Sequence, residues 1–203
     1  MRRTRPLPET HPEFLILETS GLCREYRVEN WHLACDGSGK IISSTVQLSW
    51  TDALIALIVS VAWPLARSHS VYTTVMISML GIYIYSKCTQ VLWESVLVLP
   101  PHGLQFETHR GFPPYALFAS RTFIPSSELR DLVINEGLRR WDVRYYIAAV
   151  YKPSEGGLRL HVAFESLIPR FPVLVTVYKG IHDCLLHAAV EESLQYHRYS
   201  YSP

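Results

Sequence analysis

The sequence predicts an α+β membrane protein, with a two-helix hydrophobic hairpin followed by a small antiparallel barrel and a C-terminal helix. Three observations carry this prediction. Two uncharged apolar runs, 53–66 and 71–86, stand almost back to back in the first half of the chain. The second half holds short β-branched and aromatic segments separated by turns rich in Pro and Gly, the pattern of antiparallel strands. One long stretch of helical periodicity then closes the chain. Of 203 residues, 48% are hydrophobic and 18% charged; an average globular chain has about 25% charged residues. That balance excludes an intrinsically disordered chain.

Residues 1–48 are polar and mixed, and form the first expected zone. Leu15, Leu17, Tyr26, Val28, Trp31 and Leu33 sit in short extended-looking runs. CDGSGK, residues 35–40, reads as a turn. It is not a phosphate loop, because Ala34 stands where that motif needs Gly and Ile41 where it needs Ser or Thr. The N-terminus is basic but lacks the apolar stretch and small-residue cleavage site of a secretion signal, so this end is expected to stay in the cytosol.

Residues 49–87 are the expected hairpin. Ala53–Ala66 is fourteen residues without a charge and Val71–Ser86 is sixteen. A bilayer span takes about 20 apolar residues, so each run reaches it only by including Asp52 at one interface or a snorkelling Lys87 at the other. Neither run shows the charged stripe that a helix on a water-facing core carries. The expectation is therefore a hairpin that crosses the membrane twice or dips into one leaflet. Arg67 and His69 are the basic residues of its turn, whereas six Arg and Lys precede it and twelve follow from Lys87 onward. This asymmetry places both long segments on the cytosolic side. Trp50, Trp63, Tyr72, Tyr83, Tyr85 and Trp93 lie near the run ends, as in an aromatic belt.

Residues 88–203 are the expected cytosolic α+β domain. ESVLVL (94–99) and LQFE (104–107) flank the turn Pro100–Gly103. RTFIP (121–125), LRDLVIN (129–135) and VRYYIAAVY (143–151) read as strands, and Pro153–Gly157 as a turn. LRLHVAF (158–164) alternates, with Leu158, Leu160, Val162 and Phe164 on one side and Arg159 and His161 on the other. Pro172 suits the first turn of a helix. Val173, Val177, Ile181, Cys184, Leu185, Ala188 and Val190 then recur at helical spacing. A helix laid over a curved sheet is one way to close such a core.

Few residues suggest chemistry. With 19 Lys and Arg against 18 Asp and Glu, the chain lacks the basic excess of a nucleic-acid-binding protein, and no nucleic-acid partner is expected. Cys23, Cys35, Cys88 and Cys184 form no CxxC pair, so free thiols in a reducing compartment are expected. His182 and His187 are five apart and no HExxH occurs, so no metal is expected. Asp131 and Glu136 stand at strand ends, and Ser126-Ser127 follows Pro125 as a turn. Neither a nucleophile elbow nor a glycine-rich dinucleotide fingerprint is present. No catalytic or cofactor-binding residue is predicted, and no cofactor. Arg139, Arg140 and Arg144 are candidates for contact with anionic lipid headgroups. Trp141, Tyr145, Tyr146 and Arg170 are candidates for contact with a protein partner, since aromatic residues and arginines dominate such contacts. On one strand, Tyr145 and Tyr146 must face opposite sides.

A set of segments is similar to the PIG-H family: ESVLVLPPHGLQFE (94–107), RDLVINEGLRRWDVRYYIAAVYK (130–152), VAFE (162–165) and RFPVLVTVYKGIHDCLLH (170–187). Its carriers are the VINE core (133–136), the Tyr145-Tyr146 pair and the proline–arginine approach to the last helix, which contains Asp183-Cys184-Leu185. The first 48 residues carry no family feature. The resemblance implies a non-catalytic subunit of the glycosylphosphatidylinositol (GPI) N-acetylglucosaminyltransferase complex, in the endoplasmic reticulum membrane with both long ends cytosolic. That complex moves N-acetylglucosamine from UDP-N-acetylglucosamine to phosphatidylinositol, the first step of GPI anchor synthesis. The chemistry belongs to a PIG-A type glycosyltransferase subunit, which this family contacts and supports. The layout also resembles bacterial membrane proteins with a pleckstrin-homology-like domain. The competing reading is a membrane-anchored module of that type that binds lipid headgroups.

Overall fold

The computed structural model describes residues 2–7, 10–19, 23–30, 50–67, 69–112, 115–139 and 141–200, with side chains through residue 185 apart from those of 65 and 66. The turn at 35–40, Cys35, Trp31, Leu33 and Arg140, and the side chains of His187, Ala188 and Val190, lie outside the described residues.

Among the described residues, nine strands and three helices follow in the order β1 (Arg2–Thr4), β2 (Phe14–Thr19), β3 (Cys23–Glu29), α1 (Trp50–Ala66), α2 (Ser70–Cys88), β4 (Gln90–Leu99), β5 (Gly103–Phe112), β6 (Tyr115–Pro125), β7 (Leu129–Arg139), β8 (Asp142–Tyr151), β9 (Arg159–Ala163) and α3 (Phe171–Ser200). β1 to β6 form one antiparallel sheet in sequence order, and β7 to β9 a second. At the β4–β5 turn, Gly103 has φ +146° and a Cβ there would meet the Ile124 carbonyl oxygen at 2.2 Å, so only glycine fits.

This architecture corrects the predicted fold in two respects. The uncharged runs do form helices, but no helix among the described residues is long and apolar enough to cross a membrane. α1 has 17 residues and α2 has 19, about 26 and 28 Å at 1.5 Å per residue, short of a hydrocarbon core of about 30 Å. Ser70, Thr73, Thr74, Ser78 and Ser86 further dilute α2. Asp52 and Lys87, the charges that an extended span would have to place at its interfaces, instead pair with each other at 2.9 Å, and the Tyr83 hydroxyl also donates to Asp52. Among the described residues, α1 and α2 therefore do not form the expected membrane-crossing hairpin. The second correction concerns the barrel. The sheet structure is a six-stranded and a three-stranded sheet rather than one small barrel, and β3 pairs with β4 across the two helices, Val28 opposite Glu94. Half of the larger sheet thus comes from residues that precede α1.

The core lies between the sheets and α3. Phe14, Tyr26, Val96, Leu104, Phe106 and Ile124 from the large sheet meet Ile147 and Ala149 from the small one and Val173, Leu174, Val177 and Ile181 from α3. α3 approaches β3 so closely at Gly180 that a Cβ would sit 2.0 Å from the Tyr26 hydroxyl oxygen. The two sides read for 158–164 do alternate in β9, and the core takes the side of His161 and Ala163. Register sets Ala163 opposite Ile147 and His161 opposite Ala149. Ala163 is buried, and the His161 ring packs 4.5 Å from that of Phe106, while Leu158 and Leu160 are exposed.

Candidate functional site

The described residues include no group of three or more His, Cys, Asp or Glu that could hold a metal ion. The feature that gathers polar side chains from many elements is an open cleft of about 1120 Å³ at one end of the large sheet. Register explains its position. β2 begins and β3 ends there, with Phe14 opposite Val28, and the β7–β8 turn reaches the same end with Arg139 opposite Asp142. The segment from Ser166 to Arg170, which leads into α3, completes the wall.

One buried carboxylate fixes that segment. Glu94 is 3% exposed. Its oxygens accept the Ser166 N–H at 3.2 Å and the Leu167 N–H at 3.1 Å, and the Thr108 hydroxyl lies at 3.4 Å. Two backbone donors on an ionisable oxygen pair make a strong tether. Two bulky residues take positive φ here, Phe164 just before the segment at 57° and Ile168 within it at 43°, conformations that persist only where the surroundings enforce them.

The first wall of the cleft carries His11, Glu13, Glu29 and Asn30. His11 Nδ1 and Glu13 Oε1 are 3.1 Å apart. The Glu29 carboxyl is raised from its ordinary value, chiefly by burial, against the opposing pull of Arg5, Arg27 and Arg3. Asn30 Nδ2 donates to the Val91 carbonyl at 2.8 Å, which ties the end of β3 to the start of β4.

The second wall carries Arg139, Trp141, Arg144 and Arg170, four of the residues singled out from sequence. Arg139 Nη1 donates to the Glu165 carbonyl at 3.1 Å. Arg144 pairs with Asp142 at 2.7 Å. Arg170 precedes α3, and its carbonyl accepts the Val173 N–H. Trp141 is as exposed as a residue in an extended chain, at 103%, with Leu138 at 86% and Val143 at 51% on the same hairpin. Tyr145 and Tyr146 stand apart from the cleft. The Tyr145 ring lies 4.7 Å from that of Phe171, and Glu136, its cross-strand partner, raises its phenol from the ordinary value. The Tyr146 ring lies across Gly137, where a Cβ would meet its Cε1 at 3.1 Å.

Sequence reasoning missed Glu94, Glu13 and Glu29. Glu94 is the one polar residue to interrupt the apolar positions on the core face of β4, and this was its available signal. The two acids of the first wall carry none, since the arginines that share the cleft with them lie more than a hundred residues away.

Residues 95–165 match the sequence profile of the family described as the PIG-H component of the GPI-GlcNAc transferase complex. The chain is 32% identical over 115 residues to a Schizosaccharomyces pombe protein named phosphatidylinositol N-acetylglucosaminyltransferase subunit gpi15, covering 57% of this chain and 68% of that one. It is 30% identical over 117 residues to the Homo sapiens protein named as the H subunit of phosphatidylinositol N-acetylglucosaminyltransferase, covering 56% of this chain and 60% of that one. The Mus musculus protein of the same name is 29% identical over 119 residues, covering 56% of this chain and 60% of its own length. No solved structure matches. The chain belongs to the PIG-H family.

Proposed function

We propose that the chain is an accessory subunit of the complex that transfers N-acetylglucosamine from UDP-N-acetylglucosamine to phosphatidylinositol, the first step of GPI anchor synthesis. The observation that carries this reading is that the relatives sharing its sequence are named as subunits of that transferase. In this reading the chain holds no active site. It supports a PIG-A type catalytic glycosyltransferase at the endoplasmic reticulum membrane, contacts membrane lipids there, and keeps both long termini on the cytosolic side. The β7–β8 hairpin supports the reading physically. Leu138, Trp141 and Val143 leave a large apolar area in water, and an exposed Trp flanked by arginines has the composition of an interface anchor.

The test is to tag the chain, purify it gently from its native membranes, identify what co-purifies, and assay the eluate for transfer of N-acetylglucosamine to phosphatidylinositol. A glycosyltransferase partner and activity are expected, with recovery of both reduced about tenfold or more by Trp141→Ala. Transfer catalysed by the purified chain alone, or the absence of any glycosyltransferase from the eluate, would overturn the proposal.

A further inference from the structure

We infer that the free edge of β6 takes up an extended strand from another subunit of the transferase complex, so that the large sheet continues into a second protein chain. The inference rests on the subunit reading, and names the surface and the chemistry of the contact. β6 is the last strand of the six-stranded sheet, and its strand partner among the described residues is β5. Such an edge leaves a row of backbone N–H and C=O groups open to further pairing. Native proteins blunt exposed edges by shortening or charging them. The other sheet edges among the described residues are blunted in this way. β1 is three residues long and carries Arg2 and Arg3, and β9 is five residues long and begins at Arg159. β7 exposes Arg130, Asp131, Glu136 and Arg139. β6 has eleven residues and one charged side chain, Arg121. Its register with β5 shifts between Arg110 and Gly111, and then runs unbroken from Phe118 to Pro125.

The side chains of β6 define what joins it. Every residue from Tyr115 to Arg121 is exposed, so this part of the β5–β6 hairpin stands clear of the core on both faces. Phe118 and Phe123 lie on opposite faces and are 58% and 47% exposed. An antiparallel sheet that meets water does so with a polar face; here both faces are apolar, which suits a neighbouring strand with apolar side chains on both sides. Charge narrows the partner further. Glu107 is already engaged by Gln105, His109 and Arg121. Arg110, opposite Phe118, is exposed and has no ion-pair partner among the described residues. The charge left over beside β6 is therefore basic, and the incoming strand is apolar with a carboxylate rather than basic. Register also places the hairpin. Glu29 lies opposite Trp93, Gln90 opposite Gly111 and Phe112 opposite Tyr115. The tip of the β5–β6 hairpin thus stands at the same end of the large sheet as the cleft and Trp141, within reach of one partner.

The experiment uses the tagged full chain, purified gently from its native membranes with the chains that accompany it. A benzophenone amino acid replaces Ala119 on β6 or, as a control, Thr4 on β1, and the membranes are irradiated before purification. A cross-link from position 119 to a different polypeptide, and none from position 4, is expected. In parallel, Leu117→Lys with Phe118→Lys gives β6 the charges that blunt other edges, and should lower recovery of the cross-linked polypeptide about tenfold or more. Leu158→Lys, also at an exposed position, should leave recovery as in the parent. Neighbouring residues of an edge strand turn their N–H groups to opposite sides. One of Ala119→Pro and Ser120→Pro therefore removes only an N–H at the free edge, and whichever keeps the parental unfolding midpoint should also lose the partner. Circular dichroism checks the fold of every variant. Three results would each overturn the inference: no cross-link from position 119, a cross-link there to a second copy of this chain alone, or parental recovery by the folded lysine variant. Each leaves the subunit reading standing if a glycosyltransferase still co-purifies with the parent; its absence from the parent's eluate would remove that reading and this inference with it.

Discussion

Glu94 is expected to hold the wall of the cleft in place, and replacing it with leucine should release the segment that leads into α3. Leucine removes every acceptor while roughly filling the space. The Leu167 amide, at 3.1 Å from Glu94, belongs to a half-buried residue and would be stranded at a cost of about 2 kcal/mol. Ser166 is exposed, so its amide regains water and the loss there is nearer about 1 kcal/mol. The expected total is about 3 kcal/mol for Glu94→Leu. Glu94→Gln keeps one carbonyl acceptor and gives up the charge, which should cost about 1 kcal/mol. Urea-induced unfolding of the purified chain measures the global part. Hydrogen exchange at Ser166 and Leu167 measures local release, where 3 kcal/mol corresponds to about a hundredfold faster exchange. An unchanged unfolding midpoint together with unchanged exchange at those two amides would refute the argument. So would a glutamine variant less stable than the leucine one, because that order cannot arise from loss of an acceptor.

Two further predictions concern titrating groups. The Glu29 carboxyl is raised from its ordinary value mainly by burial, so keeping it ionised costs stability above its unfolded value. Glu29→Gln should stabilise the protein at neutral pH, a gain that shrinks as pH falls into the carboxylate range; equal unfolding midpoints at neutral pH would contradict it. Tyr26 is pushed up from 10.0 to about 12, first by burial, and its hydroxyl makes no well-formed hydrogen bond among the described residues. Its contribution is present below pH 10 and is lost as pH rises through about 12, by about 3 kcal/mol. Tyr26→Phe should lose less stability than the parent over that range in an alkaline unfolding series.

Much of the strand structure in 88–203 was legible because it depends on neighbours in sequence. The turns at 100–103 and 153–157, the β-branched run of β8 and Pro172 in the first turn of α3 are local signals, and the elements formed around them. Four candidate surface residues, Arg139, Trp141, Arg144 and Arg170, also meet at one cleft. An exposed Trp among arginines stands out in any context. The facing of β9 was not legible. Alternation gives two sides but not which is inside, and pairing with the buried positions of β8 chose the side of His161 and Ala163.

The sequence by itself determined where helices and strands form, because backbone propensity, turn residues and apolar periodicity act over a few residues. It also determined the family, through the ordered segments between 94 and 187. Only the tertiary structure decided that residues before α1 complete the large sheet, that Asp52 and Lys87 pair with each other rather than bracket two membrane spans, and that Glu94 ties β4 to a segment 72 residues away. Each of these depends on contacts between groups distant in the chain. A buried carboxylate or an unpaired strand edge is costly until such a partner is found, and the partner is set by how the sheets and α3 pack, which no local pattern encodes.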